Sequence, residues 1–203
     1  MWVELADQSV VKKTIEALEG RGLRVEFLNN KEEALERLKN LIPPLAEVMT
    51  GSSTTLKEIG FVDLLSSGEH TWNNLKEKIV SEKDPKKQAE LRKKSITSEY
   101  FLGSVHAVTQ SGEVVIASAT GSQLASYVYA SNNVIWVLGT QKIVSNLEEG
   151  FRRIREYVFP LEDQRMKQAG FKGSAIGKIL IFEMESLPYR TITLIFVNEK
   201  LGF

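Results

Sequence analysis

Apolar residues at Val10, Val11, Ile15 and Leu18 recur at helical spacing and predict a helix over 7–19, closed by Gly20 and Gly22. From Leu23 to Leu28 the pattern switches to strict alternation, which predicts a strand with one buried face. Ala34, Leu35, Leu38 and Leu41 restore the helical period over 31–41, and Pro43-Pro44 stops it. A short apolar run, Ala46 to Met49, reads as the next strand, and a loop at Gly51 opens a further helix. Thr55-Leu56-Lys57-Glu58 has capping-box spacing there. The order β-α-β-α predicts an α/β domain with a mostly parallel sheet flanked by helices.

Residues 66–98 carry a weaker pattern. Asp84-Pro85 is a helix start, and Lys76 to Lys94 holds eight basic and four acidic residues. That stretch reads as a solvated helical surface, with a lid as the competing expectation. From Glu99 the chain turns strongly β, with strands at Tyr100–Leu102, Val105–Thr109 and Val114–Ala117 and a turn at Ser111-Gly112. A helix is expected over Gln123–Ala130 and a buried strand over Val134–Leu138. Ser145-Asn146-Leu147-Glu148 has the spacing of a second capping box, and Leu147, Phe151, Ile154 and Val158 give its helix one apolar face. A short helix follows near 160–169. Ile179–Phe182 and Thr191–Val197, separated by Pro188, predict a C-terminal β hairpin on the sheet edge.

Composition narrows the function classes. The 203 residues suit one domain spanning 1–203, and Lys plus Arg, 26, balance Asp plus Glu, 26. Charge therefore gives no reason to expect nucleic acid or an anionic membrane as partner. No cysteine is present, which excludes disulfides, cysteine-held zinc and a cluster ligated by this chain. The start MWVELADQSVVKK lacks a signal-peptide core and no apolar run nears bilayer length, so a cytoplasmic protein is expected.

Candidate chemistry gathers in three loops. Gly51, Ser52, Ser53, Thr54 and Thr55 sit between strand and helix, where backbone N–H groups and hydroxyls converge and can hold a phosphate or carboxylate. The same residues also suit a purely structural turn. Gly103-Ser104, and Thr120, Gly121, Ser122 and Gln123, form two more Gly/Ser/Thr loops able to face the same crevice. His106 is an acid/base candidate or a satisfied core histidine, while Glu58 divides between acid/base and capping duty. Lys142, after a strand end, either pairs with a ligand anion or lies on the surface. Gly173 to Lys178 is one residue short of a Walker A loop, and Gly20-Arg21-Gly22 precedes its strand rather than following it. No nucleophile elbow or histidine metal motif occurs, and neither a metal nor a cofactor is expected.

GSSTTLKEIG, YFLGSVHAVTQSGEVV, WVLGTQKIVSNLEEGFRRIRE and LIFVNEKLGF, in that order from about residue 46, resemble the LUD domain, the family of lactate utilization protein C. Residues 1–45 match less well. The resemblance implies a ribose-5-phosphate isomerase/CoA-transferase-like fold. GSVHAVTQSGEVV with ATGSQLASYVYA is also similar to the methylthioribose-1-phosphate isomerase branch, where His106 would fall at the position of the catalytic acid. The family is linked to oxidation of lactate to pyruvate beside iron–sulfur partner proteins. A small anionic metabolite is the implied ligand, and a homo-oligomer stays open. Two departures stand out: many family members have Asn at His106, and their cysteine-rich segment is replaced here by GFKGSAIGKIL. This is the pattern of a cysteine-free branch. Three roles are carried forward: the metabolite-binding protein, a non-catalytic subunit of a lactate-oxidising assembly, and an isomerase or transferase for phosphorylated or CoA-linked substrates.

Overall fold

A computed structural model describes residues 2–203. Helix α1 (Gln8–Glu19) leads to β1 (Arg24–Leu28), α2 (Lys31–Leu41) and β2 (Glu47–Thr50). Two short helices, α3 (Thr54–Glu58) and α4 (Phe61–Ser67), precede β3 (Asn73–Asn74), α5 (Leu75–Ser81) and α6 (Pro85–Lys94). Strands β4 (Tyr100–Gly103), β5 (Ala107–Thr109), β6 (Val114–Ser118) and β7 (Asn133–Gly139) follow, with a π-helical turn at Ser126–Ala130. Beyond β8 (Ile143–Val144), α7 (Leu147–Arg153) runs through a π turn at Ile154–Val158 into α8 (Phe159–Gln168). The chain closes with β9 (Lys178–Phe182) and β10 (Thr191–Val197).

Six strands form one sheet in the order β1-β10-β7-β4-β2-β3, every pairing parallel. This α/β architecture, mostly parallel and flanked by helices, is the one the element order predicts. A second sheet, β8-β5-β6-β9, is largely antiparallel. Strand alternation sorts the core. Ile135, Val137, Ile195 and Val197 meet Leu38 of α2 and Leu56 and Phe61 of α3 and α4. Val134, Trp136, Leu138, Leu194 and Phe196 face Leu18 of α1 and Val108, Ile116 and Phe182 of the second sheet. Ala107 and Val115 use the other face of that sheet to bury Ile154.

The expected C-terminal hairpin does not form. β9 pairs antiparallel with β6, whereas β10 lies between β1 and β7 in the parallel sheet. The cause is the burial each strand requires. Six consecutive residues of β10, Ile192 to Val197, are buried, which only an interior strand covered on both faces provides. β9 is exposed at Lys178 and Ile181, as an edge strand tolerates. Both capping boxes also shift. Ser53, not Thr55, caps α3, its Oγ accepting from Leu56 N–H, and Glu58 reaches Gly202. Asn146 caps α7 by accepting from Glu149 N–H, and Glu149 answers by accepting from Ser145 N–H. The stretch around Lys76 to Lys94 becomes α5 and α6, and α6 buries none of its residues.

Candidate functional site

Parallel pairing puts the carboxyl ends of β2, β4, β7 and β10 side by side. The loops that leave them are Gly51–Ser53, Ser104–His106, Thr140–Lys142 and Asn198–Gly202. Ser104, Val105 and Gly202 from these loops, with Thr55 just beyond the first, meet at Lys142. Its side chain is carried inward by a single 3-10 turn after Gly139 and is 2% exposed. Nζ donates to Thr55 Oγ1, Ser104 Oγ and the Val105 carbonyl, each at 3.2 Å. Among the described residues no carboxylate lies within ion-pair distance of it. Burial first, then the nearby Arg153 charge, brings the ammonium down to about 7, with Glu58 opposing.

Arg153 is the second cation, and sequence reasoning missed it. It is fully buried at the junction of α7 and the π turn. Nη1 donates to the His106 carbonyl, the guanidinium stacks 5.4 Å from the Tyr157 ring centroid, and Nε and Nη2 have no partner. Burial lowers it to about 10. Lys142 and Arg153 thus grip the consecutive carbonyls of Val105 and His106 from an otherwise uncompensated interior. A buried cation without a partner is costly, and an anion arriving there recovers that cost.

His106 is oriented by its backbone and ring together. Its N–H donates to Val115 O at 3.1 Å, and Nδ1 accepts from Ala117 N–H at 3.0 Å, which assigns the proton of the neutral ring to Nε2. Burial, then Lys142 and Arg153, push the ring down to about 3. It is therefore neutral at pH 7 and suited to donating through Nε2, not to taking up a proton. Glu58 is exposed and its Oε2 accepts from Gly202 N–H at 2.6 Å.

The Gly51 loop lies where expected, but its helix is not the source of attraction. α3 has five residues, too short for a substantial dipole, and Ser53 already occupies one of its first-turn donors. Charge comes from the flanks instead: Lys142 on Thr55, and Lys76 of α5, whose Nζ donates to Thr50 Oγ1 and Gly51 O at 3.2 Å. Opposite, a Cβ built on Gly51 would lie 3.8 Å from that of Gln123. Gln123 is fixed by Ser118, whose Oγ donates to it and accepts from Gly121 N–H. Thr120 and Ser122 are exposed and bond each other. Gly103 is held close to the Tyr127 hydroxyl, where a Cβ would come within 1.8 Å. Thr55, Ser104 and Lys142 are therefore joined directly, Gly51 and Gln123 face one another, and Thr54 and Ser52 stand at the margin.

The tail completes the cover. Gln141 Nε2 donates to Leu201 O at 2.8 Å, and the φ of +62° at Gly202 lets the chain pass against Thr55 and Lys142, where a Cβ would sit 2.4 Å from Thr55 Oγ1. Among the described residues no cluster of three or more His, Asp or Glu is placed to hold a metal, and no helix is long and apolar enough to cross a membrane.

No curated protein matches the chain. A crystal structure of a DUF162 family protein from Deinococcus radiodurans shares the fold, with a TM-score of 0.59 over 96% of this chain and 99% of that one, at 8% identity. The model of the LUD domain matches residues 11–171. The chain belongs to the LUD domain family.

Proposed function

We propose that the protein binds a small anionic metabolite, a carboxylate or phosphate, between the Gly51–Thr55 loop and the wall formed by Ser104, Thr120, Gly121, Ser122 and Gln123. One observation carries this: Lys142 is buried at the meeting of the strand-end loops, and among the described residues no carboxylate lies within ion-pair distance of it. Parallel α/β sheets place ligands at that end of their strands. Family membership makes lactate or pyruvate the first carboxylate to consider, and a contribution to lactate oxidation in the cytoplasm the first role. A chain without cysteine holds no cluster of its own, so in that role it would bind the carboxylate while the electrons pass to a redox centre on an iron–sulfur partner.

A second reading, proton transfer on a phosphorylated or CoA-linked substrate, draws support from Lys142 rather than His106. An amine brought down to about 7 exchanges protons readily at neutral pH. The test of both begins with binding. A ligand at a hundredfold excess over Kd stabilises the native state by about 2.7 kcal/mol. Lactate, pyruvate, phosphate, sugar phosphates and CoA are compared by thermal shift on wild type and Lys142→Met. At least one should stabilise wild type and leave the variant unmoved. Equal responses from the two proteins sink the site. Turnover of a bound sugar phosphate or CoA thioester by the isolated chain would then favour the second reading.

A further inference from the structure

Behind the Gly51 loop, the space between α4 and α5 holds a cavity of about 330 Å³ that the anion site does not use. That volume lies within the range of small-ligand pockets. Its apolar surface comes from Leu65, which is buried, Val62, which is half-buried, and Val80, which leaves 70% of its surface open, with Ser66, Asn74 and Ser81 beside them. Its polar end is Thr50 and Lys76, the residues that join it to Gly51. Lys76 bonds only neutral oxygens, and among the described residues no carboxylate lies within ion-pair distance of it. Glu77 also lines the cavity but is exposed and makes no such pair.

A half-buried ammonium at one end of a hydrocarbon-lined space is complementary to an amphiphilic anion. We propose that this cavity receives the aliphatic part of a ligand whose carboxylate or phosphate group meets Lys76 beside the Gly51 loop. The ligand class is then an anion carrying a short alkyl chain. The inference rests on the anion-site reading for the position of the head group. It adds that chain length, and not charge alone, sets affinity. Val80 supplies an exposed surface that such a chain would cover.

The experiment titrates the full chain with acetate, butyrate and hexanoate, followed by NMR, with inorganic phosphate and hexanamide as controls. Each buried methylene is worth about fourfold in affinity, so hexanoate should bind well over tenfold tighter than acetate. Hexanamide, with the same chain and no charge, should bind at least tenfold more weakly than hexanoate. Ser66→Trp, at an exposed position on α4 that lines the cavity, should abolish the chain-length gain and leave acetate binding unchanged. Acetate or phosphate binding with no gain along the series overturns the cavity alone. A gain that survives Ser66→Trp, or hexanamide equal to hexanoate, overturns it too. If neither acetate, the longer carboxylates nor phosphate binds, the anion-site reading falls with it.

Discussion

Lys142 carries its charge into the interior against three neutral oxygens, and that has a consequence for stability. Its folded value of about 7 lies below the ordinary 10.5, so the unfolded chain binds the proton more tightly. Below about pH 7 the native state bears the whole penalty; between there and about 10.5 the penalty fades as pH rises; above that it is gone. Lys142→Met removes the charge and keeps much of the volume. It should stabilise the protein at pH 6 by about 1–4 kcal/mol, the range for replacing buried ions by apolar groups. Urea denaturation between pH 6 and 10 should show stability rising for wild type with a smaller rise for the variant. Parallel curves would show that Lys142 is not the buried titrating group. Lys142 and His106 are legible as candidates because one follows a strand end and the other is a rare residue type. Arg153 and Lys76 are not. GFRRIRE and NNLKEKIV read as ordinary helix surface, and what sets these two side chains apart is the lack of a carboxylate neighbour, a property only the tertiary structure has.

At the scale of elements, the strand pattern predicts the parallel sheet but misplaces its last member. TITLIFV is apolar without alternation, the mark of a strand covered on both faces, whereas KILIF begins with an exposed lysine. Proximity in sequence suggested a hairpin, yet the two strands serve different sheets. Arg190, in the connection, is what anchors the entry to β10. Its guanidinium pairs with Glu185 at 2.5 Å, both side chains nearly inaccessible, and donates to the carbonyls of Ser126, Tyr127, Val128 and Ser131 at the π turn. Sequence inspection gives no sign of this, because the acceptors lie about 60 residues away and are backbone atoms. Arg190→Met strands a buried carboxylate and several carbonyls, and should cost about 3–5 kcal/mol. Denaturant midpoints measure it. A loss below about 1 kcal/mol would mean that water replaces the guanidinium at no great cost.

For the whole molecule, the balance of 26 basic and 26 acidic residues leaves no net field to gather anions from a distance. Attraction has to be local, and four segments far apart in sequence build it: Gly51–Thr55, Ser104–His106, Lys142 and the Leu201–Gly202 tail. β1 and β7 reach one another only through β10, so the last strand both joins the two parts of the sheet and brings the tail to the site. Local attraction also makes binding answer to local protonation. Of the basic groups there, His106 near 3 is already neutral and Arg153 near 10 is still charged at pH 7–9; burial lowers Lys76 as well, but Lys142, at about 7, is the one whose change centres on neutral pH. Glu58 is the acidic group facing it and favours the ammonium. A carboxylate such as pyruvate or lactate has no titration of its own in this range, so its affinity reports the lysine. Binding should be level below about pH 7 and weaken above it, approaching tenfold per pH unit, with proton uptake on binding at pH 8. Calorimetry of the bound carboxylate at pH 6, 7, 8 and 9, in buffers of different ionisation enthalpy, measures both. Affinity constant over that span, with no proton taken up, would mean that the anion does not meet Lys142.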